Sequence, residues 1–351
     1  MSAMANCYNR GMKNVYFYPQ FDYKKVASPN PYIKDFQDSL DGKFHIINQK
    51  ANHKGVLDFF RYIYKTDIYI FNWLEDLPIY KFGKVQTLVF LIFLVLNHGF
   101  KKKIIWVLHN KYSHFSDKNQ WTDFMYRILV KYSDLIVTHS SEGILFVREH
   151  YPSEVFKVFY LNHPMRKKPE KIGKKMAVQY DFLIWGTLQP YKGVLEFLKF
   201  LNNSEEGKNV KLLIAGKCFD EAYKDQLRPY LNENITFKED FFSLEEIKEM
   251  AHHSNFILFT HKTFSVLSSG ALMDAIGMGA KIIGPDNGSF KDLSSLSFVK
   301  TYLTYEDIID FGKFATNNPI DFEEVNSFYA ENTWEKFGIK LGRRMQELFA
   351  R

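Results

Sequence analysis

Cysteine is almost missing from this chain. Its 351 residues hold two, Cys7 and Cys218, far apart in sequence. Neither a disulfide framework nor a zinc motif can be built from them, and a reducing cytoplasm is the expected setting. The opening MSAMANCYNR lacks an apolar core, so no signal peptide is expected. The chain has no G-x-x-x-x-G-K-[ST] loop, no G-x-G-x-x-G fingerprint and no recognised nucleic-acid motif. These absences count against nucleotide hydrolysis, nicotinamide redox chemistry and nucleic-acid readout. No Asp-x-Asp pair occurs either, so no catalytic metal is expected. Internal repeats and low-complexity tracts are also lacking.

What is present is hydrophobic and aromatic. Apolar residues make up 46% of the chain and aromatics 17%, which supports a sizeable core, and the length favours two domains. The net charge of +6 is uneven: residues 1–165 carry 21 Lys and Arg against 14 Asp and Glu, and residues 166–351 carry 25 against 26. A basic first half suits an anionic surface, either nucleic acid or membrane. Within it, Leu88–Leu96 is continuously apolar and is soon followed by Lys101, Lys102 and Lys103. Nine residues are too few to span a bilayer, which needs about 20. A buried core helix is the commoner fate of such a run, and a helix in the membrane interface is the other.

The hydrophobic pattern reads as two βαβ series. Asn14–Tyr18, Ile68–Phe71, Ile104–Leu108, Leu135–Thr138 and Val158–Leu161 are strand candidates in the first, with helix-length segments such as Trp121–Tyr132 between them. The polar, basic run Asn162–Lys175 reads as an interdomain linker. Tyr180–Trp185, Lys211–Ala215, Ile235–Phe237, Phe256–Phe259 and Lys281–Gly284 are the second set of strands. Ser243 with Glu246 predicts a capped helix over Leu244–His252, and the chain ends in a helix over Thr333–Phe349. The expected fold class is α/β, with two doubly wound Rossmann-like domains facing a cleft. Ligands of such sheets bind beyond the carboxyl ends of the strands, so the loops after each strand are the informative ones.

Four loops of the second half stand out. Trp185 is followed by GTLQPYKG, in which Gly186 permits a sharp turn and Lys192 opens the next helix, where a cation meets a phosphate. A solvated surface lysine is the ordinary alternative. IAGKCFD (214–220) and Lys238–Phe242 are the next two loops. In the fourth, Ser268, Ser269 and Gly270 begin a helix. Such a start presents unpaired N–H groups and the positive end of the dipole, a seat for a diphosphate. Asp274 lies one turn further on. An ordinary strand–helix–strand unit with a small-residue cap is the bland reading of the same residues.

The order GTLQPYKG, LLIAG, ITFKEDFFSLEEIKEMAHHSNFILF, SSGALMDAIGMGAKIIGPDNG resembles the carboxy-terminal half of GT-B glycosyltransferases. More narrowly, it looks like the family 4-like nucleotide-sugar enzymes of bacterial polysaccharide synthesis. The resemblance covers about residues 180–290 well and the first half more loosely. It implies an N-terminal acceptor-binding domain over 1–165, completed by about 326–351, and a C-terminal donor-binding domain over 166–325. In the family the glycine loop and its lysine hold the donor diphosphate, a role that carries to Gly186 and Lys192. The helix start shares it, which carries to Ser269 and Gly270 with Ser268 beside them. A helix acid binds the ribose hydroxyls, which carries to Asp274, a shorter arm than the usual Glu. Two positions depart. Thr187 stands where an arginine is frequent, and Val266 stands where retaining members have a Glu that contacts the donor sugar. An apolar side chain cannot make that contact, so inverting chemistry stays open.

The first half offers acceptor-side candidates. Asn72, Trp73, Glu75 and Asp76 follow one strand, and His109, Asn110 and later His114 follow another, a strand–His-Asn–His arrangement like that of related sugar-transferring enzymes. An inverting enzyme needs a carboxylate or His to take the acceptor proton, and Glu75, Asp76 and His109 are the candidates. A capped loop histidine is the plain alternative for His109, a core residue for Trp73, and a turn for Asn30–Tyr32. The expected function is transfer of a sugar from a UDP- or GDP-linked donor to a glycan or lipid-linked glycan, without metal, in capsule, exopolysaccharide or O-antigen synthesis. The expected location is the cytoplasm, at the inner face of the membrane, with peripheral contact to anionic lipid. The alternatives are a nucleotide-sugar epimerase of the same fold, or a basic nucleic-acid-binding or scaffold protein.

Overall fold

The computed structural model describes residues 11–21, 31–49, 54–111, 120–169, 177–262, 267–313 and 320–350. Asn30, His114 and Val266 lie outside them. The chain forms two compact units, residues 1–162 with 334–351 and residues 163–333. The crossings thus fall at 162/163 and 333/334 rather than at 165/166 and about 326. The expected linker begins inside packed structure. Met165 is 2% exposed, pairs with Thr333 in an isolated parallel bridge, and donates its N–H to Asn332 O at 2.7 Å.

The first unit is a six-stranded sheet, parallel throughout, with strands β1 (Asn14–Tyr18), β2 (His45–Ile46), β3 (Ile68–Asn72), β4 (Lys103–Leu108), β5 (Leu135–Thr138) and β6 (Val158–Tyr160) in the order β2-β1-β3-β4-β5-β6. Parallel strands must be covered on both faces, and every residue of β3 is buried. Alternation along β4 sorts its side chains. Ile105 and Val107 pack with Phe36, Phe337 and Leu341 on one face. On the other, Tyr69 of β3 meets Phe93 at 4.9 Å and Phe59 meets Phe93 at 5.2 Å between ring centroids. The Trp334–Glu347 helix returns to this unit and crosses the Tyr32–Ser39 helix very closely. A Cβ at Gly338 would stand 1.9 Å from Ser39 O, so only glycine fits there.

The apolar run Leu88–Leu96 lies within a longer helix, Gly83–Phe100, and the core-helix expectation holds for one face only. Phe90, Phe93 and Leu94 are buried, whereas Val85, Leu88, Ile92, Val95 and Leu96 are exposed.

The second unit is also a six-stranded parallel sheet, built from β7 (Tyr180–Trp185), β8 (Leu212–Ala215), β9 (Ile235–Lys238), β10 (Ser254–Leu258), β11 (Ile282–Pro285) and β12 (Val299–Tyr302). Their order is β12-β11-β10-β7-β8-β9, the doubly wound arrangement in which chain direction across the sheet reverses between β7 and β10. Both expected halves of the capping box at Leu244–His252 are present. Each unit is thus a parallel sheet with flanking helices, and the two expected Rossmann-like domains are both present.

Candidate active site

The second unit brings its two key loops together at the β7/β10 switch point. Gly186 ends β7 with φ +88° and donates its N–H to Ala215 O at 3.0 Å. A Cβ at Gly216 would lie 2.0 Å from Gly186 O, so the β7 and β8 loops touch backbone to backbone. Thr187, just beyond Gly186, is half-buried. Pro190–Lys192 forms a short 3-10 turn and Gly193, at φ +71°, caps the Val194–Asn203 helix. A side chain at Gly193 would strike Thr260 O at 2.1 Å, while Thr260 Oγ1 donates to Lys192 O at 2.6 Å. Thr260, which follows β10, therefore pins the lysine loop of β7.

Lys192 extends back so that its Nζ would stand 3.2 Å from a Cβ on Gly186, which leaves glycine the only comfortable residue there. Burial pushes its ammonium down to about 8. Among the described residues no carboxylate pairs with it. The surface-lysine alternative is thus replaced by a partly desolvated cation in want of an anion.

The Gly270–Gly277 helix starts at the same place. Ser269 is its N-cap by backbone geometry, yet its hydroxyl makes no capping bond. Ser268 Oγ is buried without a partner among the described residues. Ser269 and Lys192 line one cavity of about 120 Å³, with Trp185, Tyr191, Thr260 and His261 around it. The Tyr191 and His261 rings stack at 5.9 Å. The cavity has the size and charge for a phosphate group, not for a whole nucleotide sugar.

Asp274, further along the same helix, faces another space. It pairs with Arg166 Nη2 at 3.4 Å and lines a second cavity of about 340 Å³ that also holds Lys167, Lys168, Glu245 and Lys248. The same helix thus serves two neighbouring spaces, Ser269 on one and Asp274 on the other. His163 leans over the helix start, its Nε2 3.7 Å from where a Gly270 Cβ would be. Sequence reading missed Arg166 and His163 because they lie in the run taken for a linker. It missed Tyr191, Thr260 and His261 as well. The signal available for Tyr191 and Thr260 was their position just after β7 and β10.

In the first unit, the three proton-acceptor candidates separate. Glu75 and Asp76 sit in a 3-10 turn, Leu74–Ile79, at 1% and 4% exposure. Trp106 Nε1 donates to Glu75 Oε2 at 2.9 Å, and the other oxygen has no partner among the described residues. Desolvation, reinforced by Asp76, raises the Glu75 carboxyl far above the usual carboxylate range, so it is held neutral. Trp106 points to the sheet face opposite Ile105 and Val107. His109 belongs with the latter side. It is half-buried, bonds Asn72 Oδ1 through Nε2 at 3.1 Å, stacks on Trp73 at 4.5 Å, and meets Tyr32 edge-on at 5.0 Å. Trp73 spends its face on His109. It holds φ +51°, a left-handed conformation costly for a bulky residue. Behind it, Tyr32 OH and His139 Nε2 are 2.7 Å apart, and burial lowers His139 to about 4, a neutral ring.

No protein-family model matches the chain, and no curated protein matches it in sequence. Solved structures match its fold. Anabaena Alr3699/HepE, solved with UDP and glucose, aligns with a TM-score of 0.63 at 11% identity over 97% of this chain and 99% of its own. The lipopolysaccharide outer core galactosyltransferase WaaB aligns at 0.60, 14% identity, 95% of this chain and 100% of its own. The longer S. aureus TarM, solved as a mutant with UDP, aligns at 0.54 and 14% identity, over 81% of this chain and 55% of its own.

Proposed function

We propose that this protein is a glycosyltransferase that moves a sugar from a UDP-linked donor to a glycan or lipid-linked glycan. The observation that carries the reading is Lys192. It is a desolvated ammonium with no carboxylate partner among the described residues, fixed over Gly186 and sharing a cavity with Ser269, the cap of the Gly270–Gly277 helix. A diphosphate supplies the missing charge. Its negative charge grows as the glycosidic bond breaks, and Lys192, the helix start and Ser269 answer it without reorganising. UDP in the complexes of HepE and TarM supports a uridine donor. Asp274 takes the ribose hydroxyls, with Arg166 holding its carboxylate in place.

On the acceptor side His109 takes the hydroxyl proton. The Nε2 bond to Asn72 Oδ1 and the Trp73 stack hold the imidazole in one orientation for that step. Glu75 serves the fold as a neutral interior acid. The product belongs to bacterial surface polysaccharide assembly, made in the cytoplasm.

Calorimetric titration of UDP-glucose and UDP-galactose into Lys192→Ala and Asp274→Ala tests the donor seat. Removing one partner of a buried charge pair costs about 2–5 kcal/mol, so Lys192→Ala is expected to weaken donor binding at least thirtyfold. Unchanged donor binding in both variants sinks the assignment. Turnover of the donor alone into a stereoisomer points instead to an epimerase.

A further inference from the structure

The Gly83–Phe100 helix is apolar on both faces, the buried one and the exposed one. Val85, Leu88, Ile92 and Val95 recur at helical spacing on its outer face and are 59%, 52%, 58% and 74% exposed, with Leu96 beside them. Its inner face holds Phe90, Phe93 and Leu94 together with polar Thr87 and Asn97, of which Thr87 Oγ1 donates to Gly83 O at 2.8 Å and Asn97 Nδ2 to Lys102 O at 3.1 Å. A soluble surface helix carries polar and charged side chains on its outer face. The stripe is large, since Phe82 extends it at one end, while Phe100 and Tyr64, in edge contact at 5.1 Å, extend it at the other.

Charge frames the stripe. Residues 77–116 contain six lysines and not one Asp or Glu. Lys81 and Lys84 stand at the start of the helix, and Lys101 and Lys102 follow its end. Lys103 is excluded, because it lies in β4 and pairs with Asp134 at 3.1 Å. A third of the helix is packed inside the fold, Phe93 against Tyr69 and Phe59. It therefore cannot leave the domain to cross a bilayer, and at 1.5 Å per residue its roughly 27 Å length lies along a surface instead.

We propose that this helix is an in-plane anchor on an anionic lipid bilayer. Val85, Leu88, Ile92, Val95 and Leu96 enter the acyl boundary, Tyr80 and Tyr64 sit at headgroup level, and Lys81, Lys84, Lys101 and Lys102 meet lipid phosphates. A second copy of the chain is the weaker occupant. Pairing two such faces sets lysine-rich ends against each other with no acid from 77 to 116 to answer them. The inference rests on this face alone and does not depend on the donor seat.

Sedimentation with phosphatidylcholine vesicles, with and without phosphatidylglycerol, tests it on the full chain. The wild type is expected to pellet with the anionic vesicles, and added salt to release it. Ile92→Glu with Val95→Glu, both at exposed positions, is expected to weaken vesicle binding by roughly tenfold or more. Its thermal transition and UDP binding stay unchanged. Lys84→Glu and Lys101→Glu each cost roughly fivefold or more. The proposal is overturned if the wild type ignores anionic vesicles, or if the double variant binds them as the wild type does. It is equally overturned if ultracentrifugation shows a dimer that the double variant splits while vesicle binding is absent.

Discussion

Lys192 and Glu75 are two interior ionisable groups, each at the carboxyl end of a parallel sheet, and the fold treats them in opposite ways. Glu75 gives up its charge. Trp106 donates to one oxygen, Asp76 repels a second negative charge, and the carboxyl stays protonated at neutral pH. Lys192 keeps its charge at neutral pH although burial disfavours it, because its titration at about 8 still leaves most of it protonated. No carboxylate among the described residues relieves it, and Ser269, which shares its cavity, makes no capping bond. A buried group that has been neutralised serves the core, whereas a buried cation kept without a counter-charge marks a place where something else supplies one.

The sharpest way to break that contrast is pH. If Lys192 seats the diphosphate, donor affinity holds below about pH 8 and falls by up to tenfold per unit above it, as the free ammonium loses its proton. Lys192→Arg, always charged, is expected to flatten this profile even if it binds less well. A donor affinity in the wild type that is indifferent to pH between 7 and 10 removes the lysine from the contact.

Glu75→Gln tests the other half, with a smaller effect. The Glu75 pKa is raised on folding from its ordinary 4.5, so the folded chain holds a proton that the unfolded chain releases. Its stabilising contribution is full at acid pH and is lost as pH rises through neutral and above. The amide keeps the acceptor for Trp106 and cannot ionise. It should gain in stability on the wild type as pH rises from 7 to 9, and show nearly unchanged turnover. A loss of turnover of a hundredfold or more with intact folding would return Glu75 to the chemistry.

The third test is at Trp73. Trp73→Gly removes a left-handed backbone penalty of about 1–2 kcal/mol and a ring stack worth about 0.5–1.5 kcal/mol. Relief of the backbone penalty offsets part of the lost ring packing in urea unfolding, while the rate at saturating donor drops because His109 loses its support. A rate that is unmoved separates Trp73 from the acceptor side.

Much of the fold was legible because central parallel strands are continuous apolar runs, and Asn14–Tyr18, Leu135–Thr138 and Tyr180–Trp185 stand as read from the sequence. The edge strands β2 and β12 were not, since His45–Ile46 is two residues long and Val299–Tyr302 carries an exposed Lys300. In the candidate site the glycine turns at 186 and 193 were visible as breaks, but sequence does not reveal that Lys192 folds back into the protein. Nor does it reveal that Asp274 and Ser269 address different cavities of one helix. Burial of Glu75 is decided by the two helices lying over its turn, and the outward face of Gly83–Phe100 by which side docks. Both are tertiary facts. Val266, the residue bearing on stereochemistry, lies outside the described residues.

The close crossing of Gly338 over Ser39 has a consequence for biosynthesis. Residues 163–333 are contiguous, so that unit can complete itself as soon as it has emerged from the ribosome. The unit made earlier cannot, because the helix that covers Phe36 and Leu40 is made about 300 residues after them. Its sheet face stands bare throughout that interval. A nascent chain halted at Thr333 should expose this apolar surface to chaperones, and release of Trp334–Glu347 should be the event that ends their hold.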